Sequence, residues 1–120
     1  MTELEKYFDL DFNDDKLLEI ALTHSSYANE NQTQSNERLE FIGDAVLDLL
    51  MGEYLVKKHK DYNEGDLTKQ RAKNVCETAL VEYAKECNLK KYLLLGKGEE
   101  KSGGRNRVAL QADAFEALIG

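Results

Sequence analysis

Apolar positions in this chain recur mostly at three- and four-residue spacing, the period of an α-helix, and almost nowhere alternate as they would in a half-buried strand. Leu17, Leu18, Ala21 and Leu22 form the first clear set, and Asp14 or Asp15 ahead of them is placed to cap it. Before that, Thr2 and Glu5 have the spacing of a capping box opening a short helix through Phe8. The polar run 28–35 predicts a loop. A long helix follows from about Asn36 to Lys58, another from about Gly65 into Ala72, and a third through Val75, Leu80, Val81 and Ala84; the last two are open to being one continuous helix. A glycine- and lysine-containing loop is predicted between Gly96 and Gly104, with Gly96-Lys97-Gly98 read as a turn. A final helix runs from about Ala109 into Gly120. Tyr92 to Leu95 is the strand candidate, and by length it is equally a helical turn. The fold class is all-α.

The long helix carries the chain's most informative pattern. With Glu40 at zero on a wheel of about 100° per residue, Asp44 falls near 40°, Glu37 near 60° and Asp48 near 80°. Leu39, Phe41, Ile42, Ala45, Val46, Leu49 and Leu50 occupy the rest of the circumference, so this helix is expected in the middle of a domain. Clustered carboxylates on such a helix repel one another and lose hydration, which a divalent cation would offset. The alternative is a solvated face. In the final helix Asp113 and Glu116 lie three residues apart on one side, next to Ala109, Ala112 and Ala117, whose small size permits close approach to another helix. Two such helices can bring Glu40, Asp44, Asp113 and Glu116 together. Oxygen donors without His or Cys suit Mg²⁺ or Mn²⁺ rather than zinc. The chemistry this allows includes phosphodiester hydrolysis, but equally a phosphatase, a di-metal oxidase or a structural ion site.

Composition narrows the setting. The chain has 120 residues, the size of one domain, and no proline. No window approaches the roughly 18 uncharged apolar residues of a membrane helix, so no membrane partner is expected and a cytoplasmic location is. Cys76 and Cys87 match neither a redox nor a zinc spacing; they are expected on similar sides of one helix as reduced, partly buried thiols. The formal charge of −7 argues against phosphate binding by the chain as a whole, yet a cation site must itself be acidic, and a bound cation reverses the local sign. His24 and His59 stand in no nucleophile-base pattern and are expected to be structural or exposed.

The stretch 36–47, NERLEFIGDAVL, resembles the signature motif of the ribonuclease III family. LTHSSYANE at 22–30, EGDLTKQRA at 64–72, LLLGKGEEKSGGR at 93–105 and ADAFEALIG at 112–120 resemble further family segments in the expected order. The resemblance implies the catalytic domain of a bacterial-type, homodimeric endonuclease that cuts double-stranded RNA, leaves 5′-phosphate and 3′-hydroxyl ends, and processes ribosomal and messenger RNA. It implies that Glu40, Asp44, Asp113 and Glu116 hold Mg²⁺, with Mn²⁺ as substitute, and that Asp44 and Glu116 are the catalytic positions most damaging to lose. Glu37 and Glu64 match acids lining the family's cleft. Phe41 matches a residue that packs into a pocket of the partner subunit; an internal core aromatic is its alternative. Arg71, Lys97, Arg105 and Arg107 are the candidates for RNA phosphate contacts.

There are departures from the family pattern. Residues 108–111 read VALQ where relatives often have proline and a more apolar run, and Gln111, about 160° from Asp113, should not touch the metals. A catalytic domain over 1–120 would stop within its last helix, with no double-stranded-RNA-binding domain present. A non-catalytic RNA-binding or dimerisation module of the same fold is the rival; it has no need of all four acids.

Overall fold

Over residues 3–120, which the computed structural model describes, the helical spacing of the sequence becomes eight α-helices and two short 3₁₀ turns. α1 is Glu3–Phe8; the capping box expected at its start involves Thr2 and lies outside the described residues. α2 is Asp15–Ala21, and the Asp14 carboxylate accepts the Lys16 N–H at 3.0 Å as its cap. α4 is Glu37–Lys58 and α5 is Glu64–Val75. α5 opens on a reciprocal cap, with the Asn63 side chain accepting from the Asp66 N–H and the Asp66 carboxylate from the Asn63 N–H. α6 is Glu77–Glu86 and α8 is Val108–Ile119.

Several expectations need correction. The stretch 28–35 is not all loop: α3, Ser25–Asn31, occupies its first half and ends at Gln32, which turns left-handed at φ 50°. The cap that starts α3 is His24, whose Nδ1 accepts the Ser26 N–H at 3.1 Å, a residue type that capping preferences do not favour. The loop expected at 96–104 contains a short helix, α7, Lys97–Lys101, and then a 3₁₀ turn, Gly104–Asn106. What orders α7 is distant in sequence. The Gly96 N–H donates to Ser26 Oγ at 2.9 Å and the Lys97 N–H to Glu30 Oε2 at 2.7 Å. Gly96 is required at this contact, because a Cβ there would stand 2.6 Å from Glu30 Oε2 and 2.7 Å from the Ser26 carbonyl oxygen.

α5 and α6 are separate helices, parted at Cys76, whose backbone is extended at ψ 166°. The Tyr83 hydroxyl donates to the Asn74 carbonyl at 2.8 Å across that break. Cys76 and Cys87 therefore flank α6 at its two ends; Cys76 is exposed and Cys87 buried. Tyr92 to Leu95 forms no strand. Leu89–Tyr92 is a 3₁₀ turn, and Leu94 makes one isolated parallel bridge with Thr23, the described residues holding no strand otherwise.

The largest correction concerns which helix is central. α8 is, with Leu110, Gln111, Ala112, Ala114, Phe115 and Ala117 all buried, and it packs between α4 and α6. Leu4, Leu18, Leu22, Leu80, Ala84, Leu89 and Leu93 complete the core around it. α4 lies at the edge, with Gly43 and Leu55 its buried residues. Phe41 is 80% exposed and Leu49 70%, and Ile42, Leu50, Tyr54 and Val56 stand open to solvent beside them. An internal core role for Phe41 is thereby excluded. The apolar arc read from the sequence is real; within one chain most of it stays uncovered.

Candidate metal centre

The site is assembled by the start of α4 and the middle of α8. Asn36 is buried just ahead of α4, and its side-chain amide donates not to the helix but to the Ala21 carbonyl at 3.1 Å, while its backbone N–H donates to the Thr23 carbonyl at 2.9 Å. These bonds fasten the beginning of α4 to the end of α2. One turn on, Glu37 and Glu40 occupy the first turn, where the helix dipole favours negative charge.

Gly43 sets the depth of the contact between the two helices. A Cβ at this position would fall on the carbonyl oxygen of Glu116, so only glycine lets α4 and α8 come this close. The sequence reading passed over it, although a glycine inside a helix costs about 1 kcal/mol relative to alanine and so calls for a reason. Ala112 and Ala117 are buried on α8, while Ala109, expected on the same side, is exposed.

Across this contact the carboxylate oxygens of Glu40, Asp113 and Glu116 all lie within 4.8 Å of one another. Asp44 adjoins them through a hydrogen bond with Glu116. Glu37, Glu40, Phe41, Asp44 and Glu116 line a hollow of about 380 Å³ containing no basic residue. Glu37 is exposed and also meets the Ser35 hydroxyl at 3.2 Å. Glu64 opens α5, is exposed, and is not part of the hollow's lining. Gln111 points elsewhere, its Nε2 donating to the Arg105 carbonyl at 3.2 Å.

So many carboxylates in a half-buried place hold protons unusually tightly. The Glu40 carboxyl is raised to about 7, first by burial, then by the charge of Asp113 and the hydrogen bond it gives Asp113, with Glu37 and Asp44 adding repulsion. Glu116 is raised to about 8, first by burial and then by its hydrogen bond to Asp44 and the surrounding negative charge. Asp113 is pushed up by burial and by Glu77 at the start of α6, against the hydrogen bond from Glu40 and the charge of His24. Glu77 and His24 are thus neighbours of the site that spacing along the sequence does not reveal. The groups raised furthest are Glu40 and Glu116, whose protonated forms donate to Asp113 and to Asp44. A hard cation fits where those protons sit: the donors are all oxygen, and its charge relieves the same repulsion.

The sign of the resulting pH dependence follows. A carboxyl with a raised folded-state pKa binds its proton more tightly in the folded than in the unfolded chain, so stability falls as pH rises between the unfolded value, 4.5, and the folded values of about 7 and about 8. Without metal, the melting temperature is expected to be higher near about pH 5 than near about pH 8.5, and saturating Mg²⁺ or Mn²⁺ should narrow that gap by replacing the protons. Glu116→Gln should flatten the dependence. A gap unaffected by either change in calorimetric scans would refute the raised carboxyls as its cause.

The candidate cations are spread more widely. Arg105 is committed within the chain: its Nε donates to both Glu100 oxygens at 3.0 and 3.1 Å, and its Nη1 to the Lys90 and Leu93 carbonyls at 2.6 and 2.9 Å. Arg107 pairs with Glu99 at 3.0 Å and reaches Ser102 Oγ at 3.4 Å. Lys97 holds α7 in place through its backbone N–H, and its side chain is exposed. Arg71 projects from α5 over α4 into a shallow groove with Asp48, Leu49 and Gly52.

Comparison with known proteins agrees with this architecture. A family model described as Ribonuclease-III-like matches residues 14–120. The chain is similar to Ribonuclease 3 of Streptococcus pneumoniae serotype 19F (strain G54), with 54% identity over 122 residues covering 99% of this chain and 53% of that protein. It is equally similar to Ribonuclease 3 of Listeria monocytogenes serotype 4a (strain HCC23), 54% identical across 98% of this chain and 53% of that one. The chain thus spans about half the length of these relatives. Among solved structures, the nuclease domain of ribonuclease III from Campylobacter jejuni superposes with a TM-score of 0.92 at 44% identity, covering 98% of this chain and 80% of that one; that structure is described for flexibility in the region where it forms its dimer.

Proposed function

This chain belongs to the ribonuclease-III-like family, and on that premise we propose that it is a Mg²⁺-dependent endonuclease acting on double-stranded RNA. The observation that carries the reading is the meeting of Glu40, Asp113 and Glu116 across the α4–α8 contact, with Asp44 bonded to Glu116. A fold kept only to bind RNA has no use for carboxylates that repel one another in a half-buried hollow and cost stability at neutral pH. We read residues 1–120 as one nuclease domain.

Glu40, Asp44, Asp113 and Glu116 would hold the ion. Lowering of the pKa of an attacking water and neutralisation of charge on the departing oxygen are what such an ion supplies when bound. The chain's own part is to fix four carboxylates on two rigid helices, to give up the Glu40 and Glu116 protons as the cation arrives, and to keep the acids from drifting apart. Glu37, at the rim of the same hollow, adds negative charge that draws cations, and Glu64 is assigned to the more distant wall of the cleft.

The exposed apolar face of α4 is assigned to a second copy of the chain, with Phe41 as the residue that enters the partner. Two sites then face the two strands of one duplex, each cutting one strand and leaving 5′-phosphate and 3′-hydroxyl ends. A-form RNA is recognised by shape and backbone because its major groove is too narrow for side chains. Processing of ribosomal and messenger RNA in the cytoplasm is the corresponding cellular role.

The test is direct. A long RNA duplex incubated with the protein is expected to be cut in Mg²⁺ and to stay intact when a chelator is added, while single-stranded RNA of the same length is spared. Cleavage that persists in chelator, or duplex binding without any cleavage in Mg²⁺, would remove the proposal in favour of other chemistry or a binding module.

A further inference from the structure

A second hollow, of about 610 Å³, shares no lining residue with the acid cluster's hollow. α2 supplies one wall. Asp15, Leu18, Glu19 and Leu22 follow one another at three- and four-residue steps, so they share a face, and the two leucines form an apolar floor with Leu94. Tyr27 of α3 and Tyr92 add two aromatic rings. Glu5 of α1 is the third carboxylate; it is buried and accepts the Phe12 N–H at 3.0 Å. Among the described residues no basic side chain lines this hollow.

The charge of this region is lopsided. Residues 3–22 hold seven acids against two lysines, a net of −5 where the whole chain carries −7. Asp15 and Glu19 are exposed, stand four residues apart on one helix, and form no ion pair among the described residues. Like charges at that spacing repel. A metal ion is not what the arrangement calls for, because the carboxylates that converge closely enough to share one are Glu40, Asp113 and Glu116, among the described residues. RNA does not suit it either, since phosphates carry the same sign. The matching charge is positive, spread over several groups, and borne on something with apolar surface of its own.

We propose that this hollow docks an arginine-bearing basic segment of a partner protein. Long basic side chains bury their stems and keep their heads in water, so the stems lie along Leu18, Leu22 and Leu94 while the heads reach Asp15 and Glu19. A tyrosine face favours the planar, weakly hydrated guanidinium over an ammonium. Tyr92 is already engaged: its hydroxyl donates to Glu3 at 3.2 Å, and Lys91 stands 5.7 Å from its ring centre. Tyr27 is the ring left for a partner, and its hydroxyl has no hydrogen bond among the described residues. Tyr7, Leu10 and Leu17, on the same N-terminal stretch, are also exposed, which suits a segment of several residues rather than a single amine. Nothing in this inference uses the acid cluster, so it stands apart from the nuclease reading.

The experiment follows, by fluorescence anisotropy, a short labelled peptide with an arginine on either side of a leucine, in Mg²⁺ so that the acid cluster does not compete for it. Asp15→Lys combined with Glu19→Lys is expected to weaken binding roughly ten-fold or more at low salt, by less as salt rises. Glu82→Lys combined with Glu86→Lys, the same change of charge on the exposed side of α6, should shift affinity by less than about two-fold. Tyr27→Ala should weaken the arginine peptide more than a lysine counterpart. Should the lysine pair on α2 lower the melting temperature, Asp15→Asn with Glu19→Gln gives the same reading at smaller amplitude. Equal losses in the α2 and α6 variants overturn the proposal, because the peptide then responds to overall charge alone. Undiminished binding by the α2 variant, or none by the unaltered chain below about 1 mM, also overturns it. So do displacement of the peptide by spermine at lower concentration than the peptide itself binds, which makes the hollow a small-amine site, and self-association that the α2 variant abolishes while the peptide stays unbound, which gives it to a second copy. Cleavage of naked duplex is expected to be unchanged in the α2 variant, and its absence in the unaltered chain would sink the nuclease reading while leaving the peptide result to stand or fall alone.

Discussion

Glu116→Gln is expected to lower the rate of duplex cleavage by roughly 10³-fold, since a bound divalent cation supplies several kcal/mol of charge stabilisation in the transition state and each 1.4 kcal/mol or so is a factor of ten. Glutamine has the shape of glutamate, so the α4–α8 packing is retained while one charged oxygen donor is lost. Asp44→Asn should behave similarly, because Asp44 meets Glu116 directly. The two readouts move in opposite directions. Removing a carboxyl that is held half-buried among like charges should leave the metal-free protein as stable as before, or more so, at about pH 8. Single-turnover cleavage on gels and a melting curve on the same preparation separate loss of chemistry from loss of fold. Cleavage within ten-fold of the unaltered chain in both variants would remove these two residues from the site.

Gly43→Val carries the largest expected effect on stability. Overpacked core positions usually cost about 1–3 kcal/mol because side chains can shift. Here the obstacle is the backbone carbonyl of Glu116, which cannot turn aside without unwinding α8. We expect a loss of at least about 3 kcal/mol, a large share of the 5–15 kcal/mol that typically holds a domain together, and a melting temperature lower by roughly 10 °C or more. Because the same contact aligns Glu40 with Glu116, Mn²⁺ binding should weaken even under conditions where the variant is folded. Gly98→Ala is the matched control: a Cβ there meets nothing within 4 Å, and its melting curve should overlay that of the unaltered chain. Overlapping curves for Gly43→Val and the unaltered chain would show that the helices approach less closely than described.

What could be read from the sequence was whatever a single helix decides for itself. The spacing of Glu40 with Asp44 and of Asp113 with Glu116 follows from 3.6 residues per turn, so their common faces were legible before any fold was known. Asp14 announced α2 by the ordinary chemistry of a cap. The failures lie where distant segments decide. α3 depends on a histidine cap, and α7 on Glu30 and Ser26 some 70 residues away. Nothing local in the run 96–104 distinguishes a tethered helix from a loop.

The position of α4 went wrong for a related reason. An apolar arc says that a surface is to be covered, not whether the cover comes from the same chain. Leu49 shows the difference, expected in the middle of the domain and exposed in the single chain. Arg105 is a candidate phosphate contact by sequence, and only the fold reveals that its Nε and Nη1 already donate to Glu100, Lys90 and Leu93.

The central place of α8 bears on the order in which the molecule comes into being. This helix follows the other described elements, yet it supplies the middle of the core and two of the four acids. On the ribosome, where chains emerge N-terminus first, α4 would appear with its acid row facing no counterpart. No cation-holding pocket can exist until residues 108–119 are out and Gly43 has received the Glu116 carbonyl. A half-made copy therefore lacks the assembled acid cluster, which would matter if the proposed nuclease is synthesised on a machine built of folded RNA.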